Sequence, residues 1–246
     1  MSITECNCNG WKEFVSQYTD ALFKDGAFEK GKFLFRGQGD AQWALTSSFD
    51  RYYNDMDWGK KRDVETALLN KFRENCIRTF PDEKIETYTD SQLRNLAQHY
   101  GLPTRLLDWT YSPYNAAYFA FTYLAWKKDS PDVAIWALNT NHVIWTTGIG
   151  VKIEKDLFAV NERQNRQLGV FTILDSPDRS LNDFVKHCEN SGQDVSNALI
   201  KFTIPKKERT YVLHELDAMD INAYRLMGGY EDCAFAAVVE TDLEYR

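Results

Sequence analysis

The chain has 246 residues, 29 Lys and Arg against 36 Asp and Glu, and a formal net charge of −7. Hydrophobic residues make up 43% and charged residues 26%, the balance of a globular protein able to bury a sizeable core. The acidic excess argues against non-specific nucleic-acid binding, which needs clustered Lys and Arg. No apolar run approaches the roughly 18 residues of a membrane span. The start, Met1 to Cys8, has neither the basic flank nor the apolar segment of a signal peptide. The five cysteines, Cys6, Cys8, Cys76, Cys188 and Cys233, are odd in number and irregular in spacing. They predict free thiols in a cytoplasmic protein rather than a disulfide framework. Cys6 and Cys8 lack a matching second pair, so they read as thiols of a frayed terminus and not as metal ligands.

In chain order, residues 10–24 read as an amphipathic helix with Trp11, Phe14, Val15, Tyr18 and Leu22 on one face and Asn9 as its cap. Lys32 to Gln38 reads as a strand, with Gly37 and Gly39 allowing a tight bend. A helix is expected over 62–79, with Val64, Ala67, Leu68, Phe72 and Cys76 inward. Another is expected over 90–100, opened by Asp90 or Ser91 and closed by Gly101. Ser112-Pro113 starts a helix that runs to about Trp126 and is apolar almost all round, which places it centrally. Strands are expected at Asp132–Leu138, His142–Thr146, Leu168–Leu174 and Leu199–Ile204, helices at 179–190 and 206–219, and an ambiguous, partly helical tail at 221–243. Strands and helices do not alternate strictly, and no linker divides the chain. The expectation is a single α+β domain with mixed or antiparallel sheets flanked by helices.

Three segments carry unusual chemistry. In Phe35-Arg36-Gly37-Gln38-Gly39-Asp40, an Arg at the end of an apolar strand can present a planar fork of donors to a phosphate or carboxylate, or pair with a structural Asp. The stretch from His99 to Thr110 packs His99, Tyr100, Thr104, Arg105, Asp108, Trp109 and Thr110 into an apparent loop between helices. It reads as a site, or as an Arg105–Asp108 pair fixing a turn with Trp109 plugging the core. In Arg163 to Thr172, amide and basic residues lead into a strand, where Gln167 and Gly169 line a pocket or merely end a solvated loop. No P-loop, dinucleotide fingerprint or nucleophile elbow is present.

Phe35-Arg36-Gly37, the run His99-Tyr100-Gly-Leu-Pro-Thr104-Arg105-Leu-Leu-Asp108-Trp109-Thr110, the Gln167-x-Gly169-x-Phe171 segment and the tail Leu213-x-Glu215-Leu216 to Asn222 together resemble the FRG domain, over roughly residues 30–237. The resemblance implies an FRG domain at 30–246 behind an N-terminal helical segment at 1–29. Motif order is also similar to that of ADP-ribosyltransferases: Phe35-Arg36-Gly37 on the first core strand, then Thr104–Thr110, then a helix with Ala116-Ala117-Tyr118-Phe119-Ala120. That similarity implies an ADP-ribosyltransferase-like fold and NAD as substrate. Arg36, beside Gly37 and Gln38, would hold NAD phosphate or ribose. Thr104 or Thr110 would contact the nicotinamide ribose, Tyr100 or Trp109 would stack on the nicotinamide, and Arg105 would line the same pocket. Gln167 stands where the catalytic carboxylate is expected, so that role passes to Glu162, Asp108 or Glu231. Alternatively, the domain binds a nucleotide or another anionic ligand without transferring it. A third reading is a hydrolase or nuclease with His99 and Asp108 as acid–base pair. The partners implied are a small-molecule nucleotide and a protein or nucleic-acid acceptor, in a bacterial toxin or anti-phage defence effector.

Overall fold

The computed structural model describes residues 3–24, 27–29, 31–123, 132–146, 150–154, 169–226 and 229–245. Its frame is one sheet of seven strands: β1 (Thr4–Asn7), β4 (Phe33–Gln38), β5 (Leu106–Thr110), β6 (Val133–Asn139), β7 (Gly150–Glu154), β8 (Gly169–Asp175) and β9 (Leu199–Ile204). The strand order is β1-β9-β6-β4-β5-β8-β7. Every neighbouring pair is antiparallel except β1 with β9, which makes the sheet mixed and the fold α+β. A short hairpin joins β2 (Phe23–Lys24) to β3 (Ala27–Phe28).

Side chains alternate across the pleat, and both faces are covered. Phe33 and Phe35 of β4 enter one apolar layer with Val133, Ile135, Phe202 and Ile204. That layer is capped by α1 (Trp11–Leu22), α5 (Pro113–Thr122), α8 (Arg209–Ala218), α9 (Ala223–Leu226) and α10 (Tyr230–Tyr245). Leu34 enters the opposite layer with Leu107, Trp109, Trp136, Leu138 and Leu199, beneath α6 (Val143–Thr146) and α7 (Leu181–Asn190). A satellite made of α3 (Trp58–Thr79) and α4 (Asp90–His99) packs around Leu69, Ile85, Leu93 and Ala97, and α2 (Ser48–Tyr52) is tied to α3 by the Asp50–Lys61 ion pair.

The central helix starts as the sequence dictates. Ser112 accepts from the Asn115 amide, and Pro113 fills the first turn, where its missing N–H costs nothing. Ala116, Ala117, Ala120 and Phe121 are fully buried. The small side chains let α5 lie close on β4. The expected continuation of this helix to Trp126, and the strand start at Leu168, lie outside the described residues.

Several expectations are corrected. Cys6 and Cys8 are not on a frayed end: β1 runs parallel to β9, with Cys6 opposite Phe202, and the Cys8 amide donates to the Thr203 carbonyl at 2.9 Å. Asn9 does not cap α1; it donates to Glu13 from its backbone amide at 2.7 Å and from its side chain at 2.8 Å. These bonds hold the Glu13 carboxyl below the usual carboxylate range. The cap of α4 is Thr89, in a reciprocal box with Gln92, one residue before the two candidates. On α3 the buried positions are Lys61 and Leu69 rather than a full Val64–Leu68 stripe, and Ala67 is exposed. His142 to Thr146 forms a helical turn instead of a strand, because the His142 carbonyl takes the Trp145 amide. Leu106 to Thr110 is a central strand and not a loop.

All five cysteines are free, and only Cys233 is exposed. Burial pushes the Cys8 thiol up to about 12, with the charge of Glu13 and the neighbouring Cys6 adding to it. Burial and then Asp178 raise Cys188. Thiolate is the reactive form, so at pH 8 a disulfide reagent should modify Cys233 first and Cys8 roughly a hundredfold more slowly. Mass mapping of the native protein checks this order. Cys8 reacting as fast as in urea would contradict the buried edge pairing of β1.

Candidate functional site

Strands β4 and β5 pair only at Phe35 and Thr110. Two residues along, Gly37 would face Asp108 if the ladder continued. Instead the Arg36 guanidinium reaches between the strands. Its Nη1 donates to the Asp108 carbonyl at 2.7 Å and lies 3.5 Å from Asp108 Oδ2. Arg36 therefore takes over a main-chain acceptor that the splayed ladder leaves open. Its side chain is 21% exposed and that of Asp108 is 62% exposed, so the pair opens to solvent. Among the described residues Arg36 Nε has no partner. Burial pulls the guanidinium below its ordinary pKa, Asp108 opposes that, and nearby Arg51 of α2 adds to it. An Arg starts so high that it stays charged at neutral pH.

Asp108 has a second partner. Gln98, in the last turn of α4, donates from Nε2 to Asp108 Oδ1 at 2.6 Å. Gln98 Oε1 accepts from the Thr104 hydroxyl. Thr104 is clamped by α2: its amide donates to Ser48 Oγ at 3.2 Å, and its carbonyl accepts from the Phe49 amide at 3.1 Å. A continuous polar chain thus runs Ser48–Thr104–Gln98–Asp108–Arg36. It joins two helices, the 100–105 turn and two strands. Gln98 and Arg51 were not among the sequence candidates, since each looks like an ordinary surface residue of a helix until the fold brings it to the pair.

The other candidates divide. Gly37 does not open the backbone to a ligand; the space beside its Cα is filled by Ala116 and Ala120 of α5. Gln38 is buried, accepting from Trp136 Nε1 at 2.7 Å and donating to the Ala44 carbonyl at 3.2 Å. Trp109 is a core residue whose Nε1 donates to Thr172 Oγ1 at 2.8 Å, so it offers no stacking surface. Thr110 is buried and accepts from the Ser112 amide. Arg105 pairs not with Asp108 but with Glu65 at 3.5 Å, donates to the Leu174 carbonyl at 2.9 Å and lies 4.1 Å over the Trp58 ring. It pins the 100–105 turn to α3 and β8. Tyr100 is 73% exposed beside this turn and is free to stack. His99 is exposed with its ring against Tyr100, and no hydrogen bond or ion pair joins it to Asp108 among the described residues. Glu162 and Gln167 lie outside the described residues.

Neither a curated protein nor a solved structure matches the chain. A family model does match, over residues 31–129. That stretch holds Arg36, Ser48, Gln98, Thr104 and Asp108, whereas the later segments of the sequence resemblance fall beyond it. That model is of the FRG domain, and it is residues 31–129 of the chain that match it.

Proposed function

We propose that the Arg36–Asp108 cluster is a nucleotide site of ADP-ribosyltransferase-like type, with NAD as its substrate. The observation that carries this reading is the pairing of a half-buried guanidinium with a solvent-open carboxylate in the gap between β4 and β5. Arg36, with Arg51 close by, suits a phosphate, which a planar fork of donors binds in two-point fashion. Asp108 suits a ribose, as a carboxylate accepts from sugar hydroxyls. Breaking the nicotinamide–ribose bond builds positive charge on the sugar, and a fixed carboxylate stabilises that charge. The exposed Tyr100 ring, two residues beyond Gln98 in the chain, offers a face for the base. Consumption of NAD would suit a toxin or defence effector.

A second reading, binding without turnover, is favoured by one detail. Both Asp108 oxygens already have donors nearby, Gln98 on Oδ1 and Arg36 on Oδ2. Thermal unfolding with NAD and ADP-ribose, followed by assay of released nicotinamide, separates the readings. Ligand at a hundred times its Kd should stabilise the wild type by about 2.7 kcal/mol. Arg36→Ala should lose that gain, and Arg36→Lys should lose most of it, because an ammonium has no fork. Asp108→Asn should keep binding while turnover falls roughly 10²- to 10³-fold. Binding with no turnover selects the second reading, and no stabilisation by any nucleotide overturns both.

A further inference from the structure

Asp108 projects from a central strand with most of its carboxylate in water, so packing does not set its direction. Directed hydrogen bonds must do so. Gln98 supplies one, at 2.6 Å to Oδ1. An amide can present either end, and its oxygen facing a carboxylate would repel it. Thr104 decides between the two. Its hydroxyl oxygen accepts from the Leu106 amide at 3.4 Å, which leaves the hydroxyl proton to donate, and it donates to Gln98 Oε1. The Gln98 Nε2 end is thereby turned to Asp108. Thr104 is itself buried and held by Ser48 and Phe49 at the start of α2, so the orientation is fixed from the fold outward.

We propose that Gln98 is the positioning residue for the Asp108 carboxylate, with Thr104 setting the sense of its amide. This rests on the reading of Asp108 as the ribose-side carboxylate of the site. Among the described residues the charged group against the carboxylate is Arg36 of β4, which itself feels Arg51 of α2; Gln98 of α4 adds a directed dipole that Thr104 orients.

The test needs no ligand at first. The Asp108 side chain is followed by NMR through its three-bond couplings, which report its χ1 rotamer. In Gln98→Leu those couplings should average toward a mixture of rotamers, through loss of the donor. In Thr104→Val they should move the same way by less, while Thr104→Ser, which keeps the hydroxyl, should restore the wild-type values. Melting temperatures confirm that each variant is folded; Gln98 is only half-buried, so Gln98→Leu stands in if Thr104→Val does not fold. ADP-ribose binding should persist in Gln98→Leu, as in Asp108→Asn, while nicotinamide release falls roughly tenfold. Unchanged couplings in Gln98→Leu overturn the positioning role whatever binds. Averaged couplings in a protein that binds no ADP-ribose uphold positioning and remove the nucleotide reading instead.

Discussion

Gly37→Ala should destabilise the protein by roughly 3 kcal/mol or more, at the upper end of overpacking effects. A Cβ at this position would stand 1.9 Å from the Ala116 carbonyl oxygen and 2.8 Å from the Ala120 nitrogen. Both atoms belong to the backbone of α5, so no side chain can swing aside. The helix would have to lift by more than an ångström from β4. Its fully buried Ala116, Ala117 and Ala120 would then lose their packing against the sheet. Gly101→Ala is the matched control. Its φ of +82° puts it in the left-handed region, but nothing lies within 4 Å of its Cβ. It should cost only about 1–2 kcal/mol of backbone strain. Urea unfolding of both variants checks the contrast. A loss at Gly37 no larger than that at Gly101 would mean that α5 does not rest on β4 as described. The same geometry explains why Arg36 and Gly37 are neighbours. The glycine admits the helix on one side, and the adjacent Arg enters the gap where the strands part.

Much of this arrangement is readable from local chemistry. Ser112-Pro113 and the all-round apolar run after it announce a central helix, and the alternation through Phe33, Leu34 and Phe35 announces a strand with both faces buried. Elements that depend on distant partners are not readable. Leu106 to Thr110 has polar neighbours on both sides and passes for a loop until β8 pairs with all five of its residues. Short β1 has no apolar pattern of its own and exists because β9 offers it a parallel edge. On α3 the apolar spacing points to Val64 and Leu68, but the helix turns Lys61 inward because a buried carboxylate waits there. At the site, Arg36 and Asp108 were both legible as candidates. Their mutual contact was not, since Arg105 stands nearer in sequence and carries the same charge. The structure gives Arg105 to Glu65 and Arg36 to Asp108. Gln98 had no local signature, because a Gln near a helix end is ordinary and only the 100–105 turn folds Thr104 back onto it.

Lys61→Met should also be severe, costing about 3–5 kcal/mol near neutral pH. Lys61 Nζ lies 3.1 Å from Asp50 Oδ1, and the two side chains are only 7% and 5% exposed. Met preserves the length of the side chain and removes its charge. Asp50 is then left with the Ser47 hydroxyl at 2.7 Å as its partner on Oδ2 and no cation in contact. A buried carboxylate without its cation is expensive. Adding Asp50→Leu removes the stranded charge, and the double variant should recover much of the loss, well away from additivity. Urea unfolding of the two single variants and the double variant at pH 7 decides it. A deficit under about 1 kcal/mol for Lys61→Met would place the pair in water rather than in the interior. The pair also reaches the site. It anchors α3 to α2, and α2 carries the Ser48 and Phe49 contacts that clamp Thr104. Lys61→Met should thus weaken any ligand held at Arg36 and Asp108, through looser positioning and without touching either residue.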